Sequence, residues 1–171
     1  MFALIKLIQS LFGALHSEGT PGQLAAGIVL GSFLGLTPLL NLHNVVIFAA
    51  LVLLNVSFAG GMLGWAVFIP FGFLLDPLFD WIGHSLLLAP GLRGMWTTFY
   101  NTPIVPLTNF NNTVVLGSLV FALLFAVPLF FAIRLGVVRY RTTIGERVRQ
   151  SRFYKGLMAS KVYNVYKMFR P

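Results

Sequence analysis

From Gly19 to Leu75 the chain carries no Asp, Glu, Lys or Arg, and in the middle of that run Pro38, Asn41, His43 and Asn44 fall together. An uncharged stretch of this length belongs in a bilayer, yet backbone groups freed beside a proline cannot be left facing lipid. The arms on either side of the break are also short. Leu24 to Thr37 makes about 21 Å of helix and Val45 to Leu54 less, whereas a comfortable crossing takes about 20 residues. Residues 20–55 are therefore expected to form a broken-helix, re-entrant-like hairpin that enters and returns on one side. Its tip, Thr37, Pro38, Asn41, His43 and Asn44, is expected to be buried in protein or to face water at depth, with the three polar side chains past the proline hydrogen-bonding freed backbone, water or a ligand headgroup; capping of the backbone is the preferred reading, and a His43 that grips a headgroup is the alternative.

The hairpin has a clear start. Thr20 is placed to cap a helix, Pro21 suits the first helical position, and Gln23 completes a T-x-x-Q capping box. Gly27, Gly31 and Gly35 then recur every four residues, which puts a bare strip on one face where another helix backbone can approach closely. Residues 56–75 form an uncharged span whose Gly60, Gly61 and Gly64 offer a matching surface. Helix packing is the preferred reading of both strips, ahead of a ligand surface. Leucine at Gly31 or Gly35 is expected to impair assembly, and leucine at Gly117, in the simpler last span, to matter less.

This arrangement is similar to a known one. The string Gly27-Ile-Val-Leu-Gly31-Ser-Phe-Leu-Gly35-Leu-Thr-Pro38, followed by His43, resembles the G-x-x-x-G-x-F-x-G-x-x-P…H pattern of a bacterial family of small inner-membrane proteins classed as a domain of unknown function. The resemblance covers roughly residues 21–88. One departure is that Ile69-Pro70 stands where the pattern has Asn-Pro. The resemblance implies an inner-membrane location and links to large periplasmic bridge proteins of the AsmA type, which move phospholipid between membranes. It implies no reaction.

Composition agrees with a membrane protein: 57% of the 171 residues are hydrophobic and 9% charged. With no cysteine, disulfides and thiolate metal sites are excluded. Nine of the twelve Lys and Arg residues follow Val138, so the net charge of +8 marks a cytoplasmic tail on an anionic leaflet and not nucleic-acid binding. The fold class expected is all-α, a polytopic membrane protein with the hairpin, one or two full transmembrane spans and amphipathic terminal helices.

Taken in order, residues 1–19 read as an interfacial helix, with Lys6, Gln9 and Ser10 polar and no signal-peptide pattern. After the span at 56–75, Pro70 and Pro77 imply a second break, and a short helix is expected at 77–89, capped by Asp76. Asp76, Asp80 and His84 then fall on one face at i, i+4 and i+8. In line they can bind a divalent cation or pass a proton; read as an interfacial stripe they face solvent, which is preferred because Trp81 and Trp96 are headgroup-level residues. No metal or cofactor is expected. Residues 89–112, rich in Pro, Gly, Thr and Asn and poor in cations, read as a periplasmic loop. A full span follows at 113–135, ending the membrane domain of residues 20–135, with both termini cytoplasmic. In the tail, residues 136–171, Thr143 and Glu146 open an amphipathic helix. Its cations Arg139, Arg141, Arg147, Arg149, Arg152, Lys155, Lys161 and Lys167 suit anionic lipid headgroups.

No H-E-x-x-H, G-x-S-x-G or nucleotide loop occurs, and no enzymatic activity is expected. The function expected is that of a non-enzymatic inner-membrane subunit, handling lipid or scaffolding within a phospholipid-transport assembly, with membrane phospholipids, an AsmA-type bridge protein and an oligomer as partners. The alternative is a small proton-coupled transporter or channel built on the broken-helix region. In a chain free of cysteine, single-cysteine labelling tests the topology: a cysteine at Asn101 is expected to react with an impermeant reagent in intact cells and one at Ser160 to be protected. Labelling at Ser160 would invert the orientation.

Overall fold

The fold comes from a computed structural model and is described for residues 19–143. The described part is all helical, with no strand. Helix α1 is Pro21–Leu36, α2 Leu42–Leu53, α3 Phe58–Leu88, α4 Arg93–Asn101 and α5 Thr113–Thr143, with 3-10 turns at Pro90–Leu92 and Val105–Thr108. Two of the five, α3 and α5, are long and apolar enough to cross a membrane. Each has 31 residues, about 46 Å at the usual rise.

Local signals set the start of α1. The Thr20 side chain accepts from the Gln23 N–H at 3.2 Å, and the Gln23 side chain accepts from the Thr20 N–H at 2.8 Å, closing the capping box ahead of Pro21. Gln23 then reaches across the hairpin. Its Nε2 donates to Asn55 Oδ1 at 2.9 Å, and its carbonyl accepts from the Ser57 N–H at 3.0 Å. The chain leaving α2 thus returns to the point where α1 began.

The α1–α3 seam is backbone against backbone. A Cβ at Gly27 would strike the Ser57 carbonyl, one at Gly31 the Gly61 carbonyl, and one at Gly35 would lie 2.7 Å from the Trp65 oxygen. From the other side, a Cβ at Gly64 would strike the Ile28 carbonyl, and one at Gly60 would lie 3.0 Å from the Leu24 oxygen. Gly61 faces the Leu51 side chain of α2, so this residue also seats the returning arm. The matching of the two glycine strips inferred from sequence is therefore physical, and α1 and the first half of α3 run parallel.

Two expectations for α3 fail. The helix does not break at Pro70 or Pro77, and Asp76 sits within it, not at a cap. Each proline removes one N–H and frees the carbonyl four residues earlier, Ala66 and Phe73. These four positions all lie on the exposed side of the helix, so the rings disturb the outer face only. The inner face keeps α3 continuous. Gly72 packs 2.6 Å, as a Cβ, from the Gly35 oxygen, while Gly83 and Gly117 would strike the Thr113 and Phe79 carbonyls across the α3–α5 seam. The span and short helix expected at 56–75 and 77–89 are one element, held first by α1 and then by α5.

Antiparallel α5 closes the bundle. Phe79, fully buried, packs on Phe121 with ring centroids 5.3 Å apart and shares a core with Val29, Phe33, Leu36 and Ala122. Toward the other end, Val137 packs with Leu24 and Leu63. Outside these cores the surface is apolar: Leu53 is 81% exposed, Phe73 76% and Leu124 73%. An exposed apolar surface of this extent marks a face that meets a membrane or another protein. Residues 89–112 are not an open loop. They hold α4, whose Trp96 stacks on Phe110 at 5.8 Å and donates to the Leu86 carbonyl at 3.0 Å. The helices expected at 1–19 and from Thr143 onward lie outside the described residues but for Gly19 and Thr143, while residues 136–143 continue α5 past the boundary expected at 135.

The Gly117 expectation is reversed by this packing. Gly31→Leu and Gly117→Leu should each destabilise the purified protein by about 3 kcal/mol or more, the upper end for overpacking, because backbone cannot yield as a side chain does. Gly136→Leu, which meets nothing within 4 Å, should change stability by less than about 0.5 kcal/mol. Denaturant titration in mixed micelles gives all three values.

Candidate functional site

The hairpin tip is built by the need to finish two helices inside an apolar bundle. Thr37, preceding a proline, is driven to an extended conformation, φ −102° and ψ 148°, and ends α1. Its N–H donates to the Phe33 carbonyl at 3.0 Å. Its hydroxyl stands 2.8 Å from both that carbonyl and Asn44 Oδ1, so one proton serves two acceptors. Asn44 Nδ2 donates to the Pro38 carbonyl at 2.7 Å, and Asn41 Nδ2 donates to the same oxygen at 2.6 Å. Thr37, Asn41 and Asn44 are all buried. Burying three polar side chains is tolerable here because they satisfy the turn and one another.

A distant segment completes the tip. Asn109 Nδ2 donates to Asn41 Oδ1 at 2.5 Å and to the Leu40 carbonyl at 3.3 Å. Asn109 adopts a left-handed conformation, φ 54°, which asparagine accepts more readily than most residues. Ile104, at φ 76° and β-branched, is a strained position opening the turn that brings Asn109 down. The segment read from sequence as an exposed loop is fastened to the hairpin tip by Asn109.

His43 does not share in this network. Neither ring nitrogen makes a hydrogen bond within ordinary distance and angle limits, and both nitrogens are buried. The main chain of Thr108 lies beside the ring. Backbone capping, the preferred reading for the polar residues past Pro38, therefore describes Asn41 and Asn44 and not His43. This histidine lines an apolar cleft between α1, α2 and α5.

The remaining sequence candidates are dispersed. The six glycines Gly27, Gly31, Gly35, Gly60, Gly61 and Gly64 form packing seams and leave no open surface between them. Asp80 Oδ1 accepts from the Thr113 hydroxyl and ties α3 to the start of α5, while Asp80 and His84 are both exposed. Among the described residues no group of three His, Asp or Glu side chains converges as a metal site would require. Arg139 is exposed. Arg141 donates to the Gly19 carbonyl at 2.8 Å, joining the end of α5 to the residue just before α1's capping box. Arg147, Arg149, Arg152, Lys155, Lys161 and Lys167 lie outside the described residues.

Sequence reading missed Asn109 and Thr108, which meet the tip from more than sixty positions away and carry no local pattern. It also missed Gly72 and Gly83, although these continue the helical face of Gly61 and Gly64 and were legible on that ground.

Comparison with known sequences matches the profile of a family described as "uncharacterized protein conserved in bacteria (DUF2062)" over residues 7–144. An "uncharacterized protein" of Treponema pallidum (strain Nichols) is 29% identical over 154 residues, covering 88% of this chain and 93% of that protein. No solved structure matches.

Asn44 is the residue on which the tip turns. Asn44→Leu should cost about 1–3 kcal/mol by removing the second acceptor of the Thr37 hydroxyl, which keeps the Phe33 carbonyl, and one of the two bonds to the Pro38 carbonyl. Combined with Thr37→Val, the loss should be smaller than the sum of the two, because each variant removes the other's partner. A double-mutant cycle on the purified protein measures the difference.

Proposed function

The chain belongs to the uncharacterized, bacterially conserved DUF2062 family, and from that premise we propose that it is a non-enzymatic inner-membrane subunit that receives phospholipid from the bilayer within an envelope transport assembly. Both termini are cytoplasmic in this reading, and the α1–α2 hairpin is re-entrant, with α4 and its flanking turns on the periplasmic side. The observation that carries it is the pair of apolar clefts beside the hairpin, one bounded by α2 and α5 and the other by α3 and α5. Both open on a surface of exposed aliphatic and aromatic side chains, so a lipid chain can pass from bilayer to protein without crossing water.

Proton-coupled transport finds less support. It requires ionisable groups that face one another at depth; His43 is the one such group in its cleft, while Asp76, half-buried, and Asp80 and His84, both exposed, lie along α3 and not beside it. The short apolar arm α2 contributes few buried residues, Asn44 and Leu51, and is the element most easily displaced. A large periplasmic bridge protein remains the proposed partner, and the well-anchored segment around α4 is the surface offered to it.

The test is a pulse-chase of radiolabelled phospholipid in a bacterium with and without the gene. Deletion is expected to slow arrival of label in the outer membrane, and the wild-type chain to restore it. Unchanged arrival would overturn the reading. A tagged chain should also retain a large periplasmic protein through mild-detergent purification.

A further inference from the structure

The cleft beside α2 has a volume of about 440 Å3, within the range of small-molecule sites. Leu30 and Phe33 of α1, Val46 and Ile47 of α2, and Leu119 and Leu123 of α5 form its walls, and Thr108 lies at its edge. His43 is the one ionisable side chain there. A neutral imidazole presents one donor and one acceptor, and leaving either buried and unpaired is costly. The neighbouring polar groups are already engaged: Thr37, Asn41 and Asn44 spend theirs on the Phe33 and Pro38 carbonyls, on Asn109 and on one another.

These demands specify an occupant. A water molecule is held in a buried site by two to four polar partners, which walls of Leu, Ile, Val and Phe do not supply. What fits is a long apolar body with an oxygen at one end. Resting on the lipid-handling reading above, we infer that this cleft takes one acyl chain of a membrane lipid, whose carbonyl oxygen accepts a hydrogen bond from the His43 ring. The chain enters sideways between α2 and α5, where Val46 and Leu123 are 61% and 58% exposed and continue the apolar outer surface. Because the terminal torsion of histidine is broad, rotation of the ring turns a nitrogen into the space that the side chain already lines. The same carbonyl chemistry occurs in the ester of a glycerophospholipid and in the carboxyl of a free fatty acid.

Native mass spectrometry of the full-length protein, extracted from its own membrane and stripped of loosely held lipid, tests this assignment. The wild type is expected to keep one lipid, and the adduct mass tells phospholipid from fatty acid. Leu123→Trp, which fills the cleft, should remove the adduct; Leu124→Trp, one position along and facing outward, should not. His43→Gln, which keeps a donor and an acceptor, should retain lipid. His43→Leu should reduce occupancy by roughly three- to tenfold, the worth of one hydrogen bond, while the melting temperature of the delipidated protein stays equal or rises because an unpaired polar group has gone. A wild type without an adduct, or an adduct that survives both Leu123→Trp and His43→Leu, overturns the inference. An adduct lost only in Leu129→Trp would assign the lipid to the cleft between α3 and α5, overturning this site and leaving the lipid-handling reading intact.

Discussion

The structure depends on one kind of contact: helix backbones pressed together with no side chain between them. Along α3 the contact is made twice, first with α1 through Gly27, Gly31, Gly35, Gly60, Gly64 and Gly72, then with α5 through Gly83 and Gly117. Lipid offers no hydrophobic gain from joining two apolar helices, so close packing and its dispersion energy must hold them. Carbonyl oxygens sit where a methyl group would otherwise be. Such a seam tolerates no enlargement on either side, and it is rigid for the same reason.

That rigidity explains why α3 survives two prolines. Pro70 and Pro77 lie on the outer side with the carbonyls they release, Ala66 and Phe73, while the glycine face is clamped by α1 below and α5 above. In α1 the outcome is the opposite. Past Gly35 the helix meets Thr37, which the following Pro38 holds extended, and the chain turns although Leu36 and Thr37 are still buried.

The turn then sets the polar chemistry of the bundle. Ending α1 and starting α2 in apolar surroundings leaves carbonyls that must be satisfied, and Thr37, Asn41, Asn44 and Asn109 meet that demand by converging on Pro38 and its neighbours. His43, one residue from Asn44, points out of this network and toward the cleft. Within three positions the same polar run thus divides into residues that complete the backbone and one that does not. The division matters for function, because only a group unneeded by the fold is available to a ligand.

Much of this was legible in the sequence. The uncharged run with its proline predicted the hairpin, the T-P-G-Q start predicted a capped helix, and the recurring glycines predicted the α1–α3 seam, since each of these is dictated by neighbours a few residues apart. The continuity of α3, the packing of Gly117 and the closure of the tip by Asn109 were decided only in three dimensions. Each depends on what lies across a seam or above a turn, and the partner is supplied by a segment remote in the chain. Spacing along one helix reports which residues share a face. It does not report what will pack against that face from a remote segment, and that decides whether α3 runs on past Pro70 and Pro77 and which side chains close the turn after Pro38.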